Sequence, residues 1–262
     1  MAPDTAISLA AVALEAAVLF SLVRHRVFRT FPVFSIYVAW TLVSDITSLL
    51  IFTFHPTAYF RYYLVEMIID SALQFTVLVE LTWSVLRPVR SSLPRATIYV
   101  LALLIAVAGL VIWPLAAQTV PPRLNAQGVL LFHLQETFAI LRIVCFLVMA
   151  SFSQVLSIGW RDRELQIATG FGVYSIVYLL VMLQHSHQLT TDPGYHKLDF
   201  VVTISYLGTL SYWVISFAAK EQERKEFSPQ MQQLLLLMSG GARAGRVAIS
   251  DLSSERPKKR IK

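Results

Sequence analysis

The chain contains seven apolar stretches, each long enough to cross a lipid bilayer as a helix. Such a helix needs roughly 20 apolar residues to span about 30 Å of hydrocarbon. The apolar residues run continuously and do not alternate, as the strands of a membrane barrel require. We therefore predict an all-α, multi-pass membrane protein with a seven-transmembrane-helix bundle. The predicted spans are 5–22, 31–54, 59–86, 96–117, 129–158, 164–184 and 197–219.

The composition agrees with this class. Hydrophobic residues make up 56% of the chain and charged residues only 15%, whereas soluble domains average roughly 25% charged residues. The first stretch differs from a cleaved signal peptide because it lacks a basic leading segment, contains Glu15 and is followed by Arg24, Arg26 and Arg29. We expect it to be retained as the first membrane helix.

Lys and Arg are distributed unevenly between the two sides of the predicted bundle. Eighteen of the 22 lie in the connections after the first, third and fifth spans or beyond residue 219. Only Arg61, Arg123 and Lys197 lie on the opposite side. Because basic residues stay on the cytoplasmic side, we expect the amino terminus outside a plasma or bacterial inner membrane and the carboxyl terminus in the cytoplasm. This bias explains the net charge of +6 without nucleic acid as a partner.

The expected organisation is one membrane domain, residues 1–219, followed by a basic cytoplasmic tail, residues 220–262. Within the tail, Ser228 and Pro229 have the residue types of a helix N-cap and first helical position, and they predict a short helix through Met238. We expect disorder beyond it, where the chain is polar and basic. The terminal basic cluster is either a plain charge cluster without a specific partner or a segment that binds anionic lipid.

Eight ionisable residues lie within the spans, seven acids and Arg142. A charge at the bilayer centre costs roughly 2.5–3.5 kcal/mol on insertion scales, so these groups should face the interior of the bundle. Helical spacing gathers them, with other polar residues, into stripes on several helices. One of these seven acids, Glu80, is expected near the cytoplasmic end, paired with a loop arginine. The candidates for a ligand site or an ion path are Glu15, Asp45, Glu66, Asp70, Glu136, Arg142 and Asp199.

Arg142 gives the sharpest expectation. From a rise of about 1.5 Å per residue, Glu15, Asp45, Asp70 and Arg142 all lie roughly 14–18 Å below the outer surface. Arg142 stays charged and needs an anion at its depth, and we predict Asp70 or Asp45 in that role. Polar contacts that merely join helices, worth about 0.6 kcal/mol on average, would explain one ion pair. They explain the excess of acids poorly.

Two further patterns concern metals and aromatic residues. His133 with Glu136, and His196 with Asp199, each lie one helical turn apart, a spacing that allows both side chains to reach one metal ion. They are weak metal candidates, because solvated or hydrogen-bonded histidines are commoner. Most aromatic residues fit the interfacial belt of membrane proteins. The deeper ones are candidates for lining a pocket: Trp40, Tyr174, Tyr178 and Tyr206.

Seven helices with an outside amino terminus resemble, at the level of architecture, the microbial rhodopsins and the seven-helix input modules of some bacterial histidine kinases. Retinal needs a lysine midway along the seventh helix, but Lys197 and Lys220 lie at its two ends. We therefore expect no retinal and no other cofactor. The chain carries no kinase output domain, so a sensor role would require a separate cytoplasmic signalling protein.

The sequence also contains no Gly-rich phosphate loop, no paired-cysteine metal motif and no Gly-x-Ser-x-Gly sequence, and Cys145 is its one cysteine. The first functional hypothesis is thus a receptor or sensor with a polar cavity, open to the outside and formed by helices 2, 3, 5 and 7. The alternatives are a proton- or cation-coupled transporter of small solutes and a membrane-embedded, metal-dependent enzyme. Gly170 and Gly172 are predicted to let neighbouring helices approach helix 6 closely.

Overall fold

The computed structural model describes residues 3–55, 59–86, 96–116, 126–151, 162–186 and 193–219. Helices account for nearly all of these residues, and no strand occurs among them. A short 3-10 helix, Val27–Arg29, lies between the first two α-helices. The α-helices are α1 (Pro3–Arg24), α2 (Pro32–Phe54), α3 (Tyr59–Val85), α4 (Thr97–Ala116), α5 (Ala126–Ser151), α6 (Arg163–Ser186) and α7 (Pro193–Ala218).

The predicted all-helical class is confirmed for this part of the chain, and the helix bounds lie close to the predicted spans. The predicted tail helix and residues 152–158 of the fifth span lie outside the described residues. Six helices are long and apolar enough to cross a membrane, which identifies a multi-pass membrane protein. The exception is α3, which carries Arg61 and three acids. Its 27 residues extend about 40 Å at 1.5 Å per residue, so a seventh span stays a prediction, as does the orientation.

The seven helices form a closed ring. Each helix packs against the next in sequence, and α7 returns to pack against α1. Helix α3 also contacts α5 and α6, so it crosses the interior of the ring instead of only bordering its neighbours. The described helix with the most charged residues is thereby held among other helices, where its carboxylates can meet protein groups instead of lipid.

One end of the ring is closed by aromatic packing. This is the end where α2 and α6 begin and where α1, α3 and α7 end; we call it the capped end. The Phe34 ring meets the Trp213 ring edge-on at 5.2 Å between centroids, and the Phe171 ring meets Trp213 at 5.1 Å. Phe217, which is fully buried, also packs edge-on against Phe34. Edge-to-face pairs of this kind stabilise a core beyond the area that they bury.

Glu80 caps the first turn of α2 at this end. Its Oε1 accepts a hydrogen bond from the backbone N–H of Val33, and its Oε2 accepts one from Phe34, both at 2.8 Å. The first N–H groups of a helix have no partner within the helix and favour a negative charge nearby. The structure gives Glu80 the α2 backbone as a partner. The arginines of the connection after α3 lie outside the described residues, so the expected pairing with a loop arginine stays a prediction.

Arg163 performs the complementary task at the last turn of α7. Its guanidinium donates to the carbonyl oxygens of Ser216 at 2.7 Å, Phe217 at 3.3 Å and Ala219 at 2.9 Å. The last carbonyls of a helix have no partner within the helix and attract cations. Next to Arg163, the carboxylate of Glu164 accepts a hydrogen bond from the Ser84 hydroxyl at 2.6 Å. Charged groups at this end therefore join α6 to α7 and to α3.

The two glycines of α6 permit the close packing that the sequence predicted. A Cβ atom at Gly170 would overlap the indole ring of Trp213, and one at Gly172 would lie 2.5 Å from the Phe146 side chain. The ring of Trp213 is fixed by a hydrogen bond from its Nε1 to the carbonyl oxygen of Gln166 at 3.3 Å. Both glycines are therefore required for α6 to pack this closely against α5 and α7.

Candidate functional site

Above the aromatic core of the capped end, the ring encloses a polar cavity of about 150 Å³, which we call the central cavity. It is bounded by α2, α3, α5 and α7, the helices that the sequence suggested, and also by α6. Ten side chains line it: Tyr37, Asp70, Ser71, Gln74, Gln135, Phe138, Arg142, Tyr174, Tyr178 and Tyr206. Nine of these ten carry a polar atom, which is unusual for the interior of a membrane protein and costly unless those atoms are used.

Arg142 projects from the middle of α5 into this cavity and is only 7% exposed. Its guanidinium carbon lies 5.9 Å from the centroid of the Phe171 ring and 5.7 Å from that of Tyr174. Aromatic faces at this distance attract a cation. They accept no ordinary hydrogen bond, and the Nε of Arg142 has no hydrogen-bond partner among the described residues. The aromatic rings therefore hold the charge in place while leaving hydrogen-bonding capacity for another group.

Asp70 faces the same cavity from α3. The Nε2 of Gln74, one turn further along α3, donates to its Oδ2 at 2.5 Å. Arg142 of α5 and Asp70 of α3 both line the wall of this cavity. The predicted pairing of Arg142 with Asp70 stays a prediction. If the two side chains pair, they do so at the wall of a space that another molecule can occupy.

Phenol and amide groups complete the lining. The hydroxyl of Tyr178 donates to the Oε1 of Gln135 at 3.2 Å, which joins α6 to α5. The Tyr174 ring packs against the rings of Tyr178 and Tyr206, with centroids 6.2 Å and 5.8 Å away. Three of the deep aromatic residues singled out from the sequence thus line the cavity. The fourth, Trp40, is absent from its lining.

A second and larger cavity, of about 420 Å³, lies towards the opposite end from the capped end; we call it the terminal cavity. Its walls are contributed by α1, α2, α3 and α7, and Asp45, Ser48 and Thr203 provide polar groups. Tyr206 lines both this cavity and the central one. Tyr206 is therefore a wall residue common to both cavities.

Tyr206 also bonds a buried carboxyl group. Its hydroxyl donates to the Oε1 of Glu15, which is fully buried in α1. The Oε2 of Glu15 has no hydrogen-bond partner among the described residues. A second acid, Asp45 of α2, lines the terminal cavity, as Tyr206 does. Two acids from α1 and α2 therefore lie near the residue that lines both cavities.

Four of the predicted candidates lie at the two cavities or bond to Tyr206. Asp70 and Arg142 line the central cavity, Asp45 lines the terminal one, and Glu15 accepts a hydrogen bond from Tyr206. The other three do not line the two cavities. Glu66 accepts a hydrogen bond from the Ser44 hydroxyl. Glu136 is buried in α5, and Asp199 is exposed in α7.

The predicted metal ligands receive no support from the described side chains. Among those side chains, no group of three or more His, Cys, Asp or Glu residues could hold a metal ion. The His133 ring packs edge-on against Trp113, with 5.3 Å between centroids. The side chain of His196 lies outside the described residues, so the pair that it forms with Asp199 in the sequence stays a prediction.

No protein-family model, no curated protein and no solved structure matches this chain. The resemblance to microbial rhodopsins and kinase input modules therefore stays an expectation from helix number and predicted orientation. The cavities themselves are the basis for any proposal about function.

Proposed function

We propose that this multi-pass membrane protein is a receptor that binds a small polar ligand in its central cavity. The observation that supports this most is the setting of Arg142, whose side chain is nine-tenths buried, lies against two aromatic rings and lines the central cavity. A buried guanidinium destabilises a protein unless its donors find acceptors. A ligand with an anionic group would supply those acceptors and would gain affinity from a site that is already formed.

The route to the site follows from the two cavities. The capped end is closed by Phe34, Trp213 and Phe217, so the terminal cavity is the open side of the bundle. A ligand would enter there and pass Tyr206 to reach Arg142. The predicted orientation places this side outside the cell, which suits a receptor for an external compound.

The continuity of the helices favours a receptor over a transporter. Transporters commonly bind their substrate where membrane helices are interrupted. Within the described residues, Pro114 in α4 is the proline inside a helix, and α4 contributes no residue to the central cavity. We propose that the ligand changes the packing around Arg142, and that a separate cytoplasmic signalling protein reads the change at the basic tail, held near anionic lipid.

Binding can be tested with purified full-length protein in lipid nanodiscs. Small carboxylates, amino acids and sulfonates would be screened by their effect on the melting temperature. We expect at least one class to raise it, and Arg142→Gln to abolish that increase. Arg24→Gln is the matched control because Arg24 is exposed. An increase that persists in Arg142→Gln would contradict the proposal.

A proton-coupled transporter is the second candidate, favoured by two acids beside the terminal cavity. Asp45 lines that cavity, and Glu15 accepts a hydrogen bond from Tyr206, which also lines it. This function requires movement of protons with solute across the membrane. Proteoliposomes with a pH-sensitive dye inside would report such flux. Flux that disappears in Asp45→Asn or Asp70→Asn but persists in Asp199→Asn, a change at an exposed residue, would replace the receptor proposal with this one.

A further inference from the structure

We infer that the ligand of the central cavity is a small zwitterion, with its anionic group on Arg142 and its cationic group between Asp70 and the tyrosine rings. This inference rests on the proposed function and names the chemical class that the same site would bind. It follows from three independent properties of the cavity: its two opposite charges, the aromatic rings around them and its volume.

The charges are complementary to a molecule with two poles. Arg142 on α5 and Asp70 on α3 line the same enclosed space. A simple anion bound at Arg142 would place a second negative charge near Asp70, and like charges brought together in a binding site cost several kcal/mol. A zwitterion satisfies both groups at once. Asp70 has room for it, since Gln74 is bonded to its Oδ2 and an ionised carboxylate offers about four acceptor positions.

Aromatic rings favour the cationic pole. Four tyrosines line the cavity, and each presents a ring near the polar groups: Tyr37, Tyr174, Tyr178 and Tyr206. Rings arranged around a space bind ammonium groups, including quaternary ones, through cation–π attraction. The hydroxyls of Tyr178 and Tyr206 already donate to Gln135 and Glu15, so those of Tyr37 and Tyr174 are the phenol donors for the anionic pole. Primary amines and methylated ammonium groups are therefore both compatible with this side of the cavity.

The volume limits the size of the ligand. A cavity of about 150 Å³ matches the engineered protein cavity that accommodates benzene, so a compound of roughly six to eight non-hydrogen atoms fits. Short amino acids and glycine betaine fall in this range. Nucleotides, peptides and retinal are far larger than the space that the ring encloses.

The test compares whole ligands with their halves. Wild-type protein in nanodiscs would be titrated calorimetrically with glycine, β-alanine, 4-aminobutyrate and glycine betaine, and separately with butyrate and butylammonium. We expect at least one zwitterion to bind at least tenfold more tightly than either half. In Asp70→Asn, we expect that zwitterion to bind no more tightly than butyrate. In Arg142→Gln, we expect it to bind no more tightly than butylammonium.

The outcomes separate the inference from the proposed function. If butyrate binds as tightly as every zwitterion and Arg142→Gln abolishes that binding, the zwitterion inference is wrong while the receptor proposal stands. If none of the six compounds binds wild-type protein, the inference is overturned, and the wider ligand screen then decides the receptor proposal. The comparison of wild-type affinities needs no variant, so a variant that fails to fold leaves the result intact.

Discussion

Two buried arginines on neighbouring helices differ in what their surroundings do with the charge. Arg163 is 5% exposed and Arg142 is 7% exposed. Arg163, at the first turn of α6, donates to three carbonyl oxygens at the end of α7. Arg142, in the middle of α5, faces aromatic rings and a cavity. The two arginines are therefore about equally buried, but only Arg163 has backbone carbonyl groups as hydrogen-bond acceptors.

Helix geometry explains the difference. The ends of a helix present unpaired N–H and C=O groups, which a buried charge can satisfy. The middle of a helix offers none, because its backbone groups are bonded to one another. A charge near helix ends can therefore hold the fold together, as Glu80 and Arg163 do. A charge in mid-membrane depends on other side chains, on water or on a ligand.

The largest expected effect on stability is at the capped end. Arg163→Gln removes the donors that bond the last carbonyls of α7, and hydrogen bonds from charged groups contribute about 1.5–3 kcal/mol each. We expect the free energy of unfolding in detergent to fall by about 3 kcal/mol and the melting temperature by several degrees. Arg24→Gln should change neither. A loss no larger than that of Arg24→Gln would show that Arg163 does not cap α7.

Close packing of α6 should give the next largest effect. Gly170→Ala places a methyl group against the indole ring of Trp213, and overpacking of this kind typically costs about 1–3 kcal/mol. Gly208→Ala is the matched control, because no atom lies within 4 Å of the position of its Cβ. Thermal unfolding should show a loss for Gly170→Ala alone. Equal melting temperatures for the two variants would mean that α6 and α7 lie further apart than described.

A double-mutant cycle tests whether Arg142 and Asp70 interact across the cavity. Arg142→Ala should lower stability because it leaves the carboxylate buried without its counter-charge. Removing both groups should recover part of the loss, with a coupling of about 1 kcal/mol. Strictly additive single effects would exclude the interaction, and Asp45 and Glu136 would then be the residues to combine with Arg142.

The smallest effect is expected at Tyr206. Tyr206→Phe removes one hydrogen bond to Glu15, which contributes about 1 kcal/mol, and retains the ring that packs on Tyr174. Tyr212→Phe, a change on the same helix, serves as the control in the same thermal unfolding measurement. A loss for Tyr206→Phe well above 1 kcal/mol would indicate that the phenol stabilises the bundle by more than its one hydrogen bond to Glu15.

The helices were predictable because hydropathy is a local property of the sequence. The polar stripes were predictable from helical periodicity, and a rise per residue was enough to place Glu15, Asp45, Asp70 and Arg142 at one depth. Tertiary caps were not predictable in this way. In the sequence, Arg163 is a basic residue of the connection after the fifth span. Its role as a cap was not evident because its acceptors lie more than 50 residues further along the chain.

Tyr37 was missed for a related reason. Its face of α2 is shared with the polar residue Thr41, one turn away, but a tyrosine in a membrane helix ordinarily indicates interfacial packing. The sequence also did not predict that α6 forms a wall of the cavity, because this depends on the closure of the ring through contacts between helices. A local pattern does not contain those contacts.

We propose that the bundle is open to the outside above Arg142 and closed at the capped end. Accessibility can be measured with a membrane-impermeant maleimide on intact cells that express Cys145→Ala with one new cysteine. Ser48 lines the terminal cavity, and Ser84 is buried at the capped end. We expect the reagent to label Ser48→Cys from outside and to leave Ser84→Cys unlabelled, in cells and in inverted vesicles. Labelling of Ser48→Cys only in inverted vesicles, or ready labelling of Ser84→Cys, would overturn this arrangement.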